Sequence, residues 1–292
     1  GRYQTHAGRK IEVHLATNPS HLEAVDSVVM GRTRARQERW GSEGPKKMLP
    51  VTLHGDAAFA GQGIAAEVLN FADLDDYTVG GTIQVIVNNL VGFTAQPHDL
   101  HSTRFASDAG KRQAIPVIHV NGEAPEALWW VGKIAAEYRY RFKSDIIVDM
   151  IGFRRYGHSE VEDPTITQPV LYERIKDHPM LWEIYGERIG EDESVIKELT
   201  DKVTEGLERG QEKGRSQQKR PTFWRLPDFW GRYHGGLYQT THDVDTAVSM
   251  DRLREIAGRI TTTPDDFHVH RKVEKLLGQR HDMVDGKRKV DW

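Results

Sequence analysis

The nine residues Gly55-Asp56-Ala57-Ala58-Phe59-Ala60-Gly61-Gln62-Gly63 carry the most information in this chain. They follow a short apolar run, Met48 to His54, and lead into helical spacing at Ile64, Val68 and Phe71. A strand that runs straight into a helix is the first half of a βαβ unit. Small residues at such a junction let backbone N–H groups approach an anion, and a helix N-terminus adds favourable dipole charge. A carboxylate in an anion cradle is repulsive unless a cation lies between. Asp56 therefore implies a metal, and oxygen donors point to Mg²⁺ or Ca²⁺ rather than zinc.

Moving outward, Thr82 to Val87 is a continuous strand that ends in Asn88-Asn89, with Asn89 lying 33 residues after Asp56, about one βαβ unit. That spacing predicts both side chains at the carboxyl ends of two strands on one sheet edge. Mg²⁺ takes about six oxygens. Asp56, the Asn89 amide oxygen and a nearby carbonyl can supply three of them. Two phosphate oxygens and a water complete the set, so a diphosphate cofactor is the natural ligand. Gly-Asp after a strand is common, and Asn-Asn alone is often just a turn. The pair at this spacing and in this order is far more specific.

The surrounding pattern predicts an α/β fold, a parallel sheet flanked by helices. Ile115 to Val120 and Asp145 to Ile151 are two more apolar strands. Between them Glu123 to Phe142 reads as an amphipathic helix opened by Pro125, with Leu128, Val131, Ala135, Tyr138 and Phe142 inward. Near-continuous apolar strands alternating with helices mean a sheet covered on both faces, with ligands at the carboxyl ends. Upstream, Ile11 to Leu15 alternates like a short strand, and Asn18-Pro19-Ser20 is a turn. Residues 21–40 then read as a helix with Leu22, Val25, Val28 or Val29 and Thr33 on one side. Arg32, Arg34, Arg36 and Arg39 suit a solvated helix end better than a nucleic-acid patch.

After about residue 160 the texture changes. Pro164, Pro169 and Pro179 interrupt the pattern, Asp192 to Glu212 is a charged amphipathic helix, and Met250–Ile260 and Val269–Leu277 are helical again. Residues 214–245 are rich in Gly, Arg and aromatics, among them Trp224, Phe229, Trp230 and Tyr233. The expected division is residues 1–165, an α/β diphosphate- and Mg-binding domain, and 166–292, a helical and irregular extension.

The 292 residues are 28% charged and 38% hydrophobic, and 40 Lys and Arg against 43 Asp and Glu give a net charge of −3. That balance argues against binding nucleic acid by bulk charge. The absence of cysteine excludes disulfides, iron–sulfur clusters, Cys-ligated zinc and a Cys nucleophile. No apolar run approaches the roughly 20 residues of a membrane span, and no signal or targeting pattern opens the chain. The opening residues, Gly1 to Gln4, read as the interior of a longer protein. A nicotinamide-binding domain would need Gly-x-Gly-x-x-Gly, and an α/β hydrolase Gly-x-Ser-x-Gly; the chain has neither.

The Gly-Asp and Asn-Asn pair resembles the motif of the thiamine-diphosphate-dependent enzymes, Gly-Asp-Gly, about 30 residues and then Asn-Asn. Ala57 replaces the third residue, as in the 2-oxoglutarate dehydrogenase branch. Further blocks are similar to the first, decarboxylating components of 2-oxoglutarate dehydrogenase complexes: Asn18-Pro19-Ser20-His21-Leu22-Glu23, Asn88-Asn89-Leu90-Val91-Gly92-Phe93-Thr94, and Arg154-Arg155-Tyr156-Gly157-His158. So are Asp163-Pro164 with Thr167-Gln168-Pro169, and Asp266-Phe267-His268. These blocks run in family order over almost the whole chain. Leu90 and Arg104-Phe105 depart from the family pattern, in a region tied to substrate selection.

The resemblance implies a transketolase-like fold that binds thiamine diphosphate and Mg²⁺. It assigns the metal to Asp56, Asn89 and the Val91 carbonyl, and the diphosphate to Ala57 and Ala58. It places Ser20 and Leu22 beside the aminopyrimidine and the substrate. It makes His158 the catalytic candidate, with Arg155 a weaker one in the same anionic neighbourhood. His54 reads as structural, and His98, His101, His268 and His270 receive no ligand role. The implied reaction is decarboxylation of a 2-oxo acid with acyl transfer to the lipoyl group of a second component. The pyrimidine-binding domain, with its Glu, and an upstream segment carrying a substrate-binding His belong to the family's site but not to this stretch. The expectation is half an active site, completed by a pyrimidine-binding domain or across a homodimer. Alternatives are a 2-oxoadipate or other 2-oxo acid dehydrogenase subunit, or a non-catalytic paralogue acting as a binding module. A bacterial source implies the cytoplasm, a eukaryotic one the mitochondrial matrix.

Overall fold

A computed structural model describes residues 1–5, 7–159, 161–216, 231, 233 and 236–290. Trp224, Phe229, Trp230, Asp291 and Trp292 lie outside the described residues. The chain forms two compact units, Gly1–Glu212 and Lys213–Trp292.

The first unit opens with an antiparallel pair, β1 (Arg2–Gln4) and β2 (Lys10–Glu12). The strand expected over Ile11–Leu15 runs instead over Lys10–Glu12, paired with β1, and Val13 and Leu15 beyond it are exposed. Helix α1 (Ala24–Gln37) follows, then a 3-10 turn and the single-turn α2 (Gly44–Lys47). The core is a four-stranded parallel sheet: β3 (Val51–Gly55), β4 (Ile83–Asn88), β5 (Val117–Asn121) and β6 (Ile146–Ile151), in the order β3-β4-β6-β5. This is the α/β architecture the apolar strands predict.

Alternation along each strand sorts side chains to two faces. On one, Ile86 and Ile147, both fully buried, pack with Phe59, Ala65, Leu69 and Ala72 from α3 (Asp56–Gly61), α4 (Gly63–Asn70) and the turn beyond. On the other, Ile83, Ile146 and Val148 meet Val131 and Ala135 of α6 (Pro125–Phe142), with α5 (Pro97–Leu100) lying between β4 and β5 in the chain. Each fully buried branched side chain is worth about 1.5–3 kcal/mol. Phe142, expected inward on α6, is 58% exposed; the buried position on that turn belongs to Arg139. Its guanidinium donates to the carbonyls of Gly81 at 2.9 Å, Val79 at 3.0 Å and Met48 at 3.1 Å, and to that of Pro45.

Helix α1 also turns a different face inward from the one its apolar residues suggest. Leu22 and Val28 are exposed, while Asp26, Met30, Thr33 and Gln37 are buried. Met30 packs on Val68 and Val79, and Gln37 donates to the Val79 carbonyl at 2.9 Å. The stripe is mixed: Met30 packs on apolar side chains, while Gln37 bonds to the backbone of the loop before β4.

Beyond the sheet come α7 (Pro169–Lys176), α8 (Leu181–Ile189) and α9 (Glu193–Ser216). In the second unit, α10 (Met250–Thr261) packs on α11 (Arg271–Val284). Ser249 caps α10 by accepting from the Arg252 N–H, and His270 caps α11 by accepting from the Lys272 N–H. No described helix is long and apolar enough to cross a membrane.

Candidate functional site

Strands β3 and β4 are neighbours, and Gly55 lies beside Val87 in register. The residues that follow each, Asp56 and Asn88-Asn89, therefore emerge together at the carboxyl edge of the sheet. Asp56 is 2% exposed. Burial raises its pKa, against the lowering effect of the backbone N–H groups of Asp56 itself, Asn89 and Ala57, which turn toward the carboxylate. The Asn89 side-chain oxygen accepts from the Val91 N–H at 3.2 Å, which folds the loop so that Val91 is buried beneath it. Leu90 and Phe93 hold positive φ, 60° and 55°, as this tight turn demands. The loop lies hard against α3: a Cβ on Gly92 would come within 2.8 Å of the Ala57 Cβ.

His158 sits in the irregular segment after β6. Its ring packs edge-on against Phe93, centroids 5.1 Å apart, and its backbone N–H donates to Glu162 at 2.7 Å. Arg154 donates to the Phe93 carbonyl at 3.1 Å, and Gln168 to that of Thr94 at 2.7 Å. The Arg154–Gln168 segment is therefore stitched to the loop that carries Asn89, with His158 exposed at the seam. Arg155 is committed elsewhere: its guanidinium donates to the carbonyls of Ile175, His178 and Pro179, at the end of α7. Ser20 and Leu22 are exposed in the turn before α1, and among the described residues no hydrogen bond joins them to Asp56 or Asn89.

Beneath this edge lies a polar network that the sequence reading missed. His54, read as structural, is 3% exposed. Its Nδ1 lies 2.5 Å from Glu23 and 3.6 Å from Asp26, and its Nε2 lies 2.8 Å from the Gln84 side-chain oxygen and 2.9 Å from the Thr52 hydroxyl. Burial opposes the charge on His54, but the Glu23 hydrogen bond and carboxylate outweigh it and raise its pKa. Burial likewise works against Glu23, and the bonds to His54 and Asp26 pull its pKa below the usual value. Asp26, buried beside another carboxylate, is pushed up to about 7. Among the described residues, Glu23, Asp26 and His54 are the one trio close enough to hold a metal. The 2.5 Å contact leaves room for a proton rather than an ion, and we read the trio as a buried ion pair with a protonated neighbour. The signal available in sequence was Glu23 inside the Asn-Pro-Ser-His-Leu-Glu block and Gln84 within an apolar strand.

A second missed residue is Asp149, a carboxylate in the middle of β6, fully buried. It accepts from the Ser107 hydroxyl at 2.7 Å, His119 Nδ1 at 3.0 Å and the Asn88 amide at 3.1 Å. Two open surface grooves, about 510 Å³ on α6 and about 620 Å³ on α4, include neither Asp56 nor Asn89 among their lining residues.

The residues at the sheet edge fit a divalent cation. Asp56 is a buried carboxylate for which no salt bridge is found among the described residues, and it leaves the sheet at the same edge as Asn89 and the Val91 loop, whose oxygens are of the kind that suit Mg²⁺ or Ca²⁺.

Comparison with known proteins now adds a second line. The profile of a family described as "Dehydrogenase E1 component" matches residues 1–217. The chain is 38% identical over 294 residues to a Bacillus subtilis protein named 2-oxoglutarate dehydrogenase E1 component. It is 39% identical over 295 residues to the protein of that name from Cupriavidus necator, and 40% over 293 residues to that from an Exiguobacterium species. These alignments cover 97–98% of this chain but only 30% of each relative.

Proposed function

The chain belongs to the dehydrogenase E1 component family, and from that premise we propose that it supplies the metal- and diphosphate-binding half of a thiamine-diphosphate-dependent 2-oxo acid dehydrogenase. The observation that carries this reading is the convergence of Asp56 and Asn89 at one sheet edge, with the Asp56 carboxylate buried and in need of positive charge. Asp56, the Asn89 amide oxygen and the Val91 carbonyl would hold Mg²⁺. The backbone N–H groups of Ala57 and Ala58 would face the diphosphate. Ser20 and Leu22 would approach the far end of the cofactor, and the residue 1–165 portion would form the binding domain.

Bound thiamine diphosphate supplies an electron sink for loss of carbon dioxide from a 2-oxo acid. The chain's own part is to place and neutralise charge. Asp56 would help hold the cation that balances the diphosphate charge. His158, exposed beside Phe93, would donate a proton or hydrogen bond to the anionic groups gathered there. The substrate we propose is 2-oxoglutarate, since the relatives carry that name, with succinyl transfer to the lipoyl group of a second component, as in the tricarboxylic acid cycle. A pyrimidine-binding domain or a second copy would complete the site. The relatives are bacterial, which favours a cytoplasmic setting.

Thermal unfolding tests the reading. Mg²⁺ and thiamine diphosphate together should raise the melting temperature, because a ligand that binds only the folded state stabilises it. Either alone should do much less. No shift with both present at millimolar concentration would contradict the proposal.

A further inference from the structure

Asn88 and Asn89 are adjacent, yet the chain sends them to opposite sides. Asn88, 4% exposed, points into the protein and donates its amide N–H to Asp149. Its carbonyl accepts from the Gly152 N–H at 2.8 Å. Alternation then turns Asn89 outward to the sheet edge. Asp149 has no exposure to solvent, and its three donors come from three different places. Asn88 ends β4, His119 lies on β5, and Ser107 lies in a 3-10 turn, Ala106–Gln113, that packs against α3, the helix Asp56 opens. One buried carboxylate therefore ties the strand end that carries Asn89 to the turn that backs Asp56.

We propose that Asp149 is a positioning residue that sets the spacing between Asp56 and Asn89, and so gives the site its preference for Mg²⁺ over Ca²⁺. This inference rests on the metal–diphosphate reading above. The argument is geometric. Mg²⁺ requires near-octahedral oxygens at about 2.0–2.1 Å, whereas Ca²⁺ accepts a looser shell at about 2.3–2.6 Å. A shift of a few tenths of an ångström in Asn89 penalises the smaller ion and spares the larger. Asp149→Asn keeps the shape but turns an N–H toward one of the three donors, so at least one of them must move.

The test measures half-saturating Mg²⁺ and Ca²⁺ by thermal shift at fixed thiamine diphosphate. We expect Asp149→Asn to weaken Mg²⁺ about tenfold or more, the usual size of an outer-sphere effect, and Ca²⁺ several times less. Asn88→Ala, which removes the clamped amide and leaves Asp149 its other two donors, should show the same loss of preference. Ile147→Val thins the core nearby and reports simple destabilisation: a lower melting temperature with an unchanged ratio. If Asp149→Asn and Asn88→Ala behave like Ile147→Val, or weaken both ions equally, the inference is wrong. A wild-type chain that responds to neither ion overturns the metal reading, and the inference with it.

Discussion

Asp56 and Asp26 are both buried carboxylates whose proton affinity is raised by burial, and they resolve the problem differently. Asp56 faces the sheet edge, where a cation can reach it. Asp56→Asn should therefore remove the Mg²⁺-dependent rise in melting temperature while leaving the ligand-free protein as stable or about 1 kcal/mol more so, since an amide is cheaper to bury. A loss of ligand-free stability would count against that account. Asp26 has one carboxylate oxygen buried with no donor and sits beside Glu23, so it holds a proton near neutrality. Its pKa of about 7, the raised His54 and Asp145 at about 6 all have the same sign: the folded state binds protons more tightly than the unfolded one. Their contribution is full at low pH and is lost as pH rises through those values. Unfolding by urea should show stability falling by on the order of 2 kcal/mol for Asp26 alone between pH 5 and 8. Asp26→Asn should flatten that slope. Glu23, whose pKa is lowered, acts oppositely and only at acid pH.

At the scale of elements, the joins between strands and helices are where the fold is least forgiving. Gly81 precedes β4 with φ +87°, and a Cβ there would meet the Ser144 carbonyl oxygen at 2.2 Å. Gly81→Ala should cost more than about 2 kcal/mol in chemical denaturation, since both conformation and space forbid it. Arg139→Met should cost about 3 kcal/mol or more by the same measurement, because the Gly81 and Pro45 carbonyls lose this donor and those of Val79 and Met48 are left with Gln37 alone. Elements whose burial is apolar were legible in the sequence: β4, β6 and the middle of α6, at Val131 and Ala135, follow from their Ile, Val and Ala spacing, whereas the end of α6, with Arg139 buried and Phe142 exposed, did not. Helix α1 was legible as a helix but only partly in its orientation: Thr33 is buried as expected, but the rest of the buried stripe is Asp26, Met30 and Gln37 rather than the Val positions. Hydrophobic periodicity carries no information about a face that packs through hydrogen bonds. Arg139, Gln84 and Asp149 were missed for a related reason: each is satisfied by partners at least 30 residues away in sequence, and no local pattern announces such a pairing.

For the whole molecule, the Asp56–Asn89 edge was legible because two motif halves sit at a βαβ spacing, and the parallel register then brings them together. Ser20, Leu22 and His158 came from resemblance rather than from spacing, because no local pattern ties them to the Asp56–Asn89 pair. The chain spans about 30% of the length of the relatives it matches. If, as proposed, these 292 residues hold only the metal and diphosphate half of the site, carbon dioxide release from 2-oxoglutarate by them alone, with Mg²⁺ and thiamine diphosphate, should equal the protein-free rate. Robust turnover would show that half the family's site suffices. The most direct test of the central claim replaces Mg²⁺ with Mn²⁺ and records the electron–nuclear coupling of the bound ion. The account predicts a ³¹P coupling when thiamine diphosphate is present, lost in both Asp56→Asn and Asn89→Ala. A bound Mn²⁺ that shows no phosphorus coupling in the unaltered chain, or one that keeps it in those variants, would contradict it.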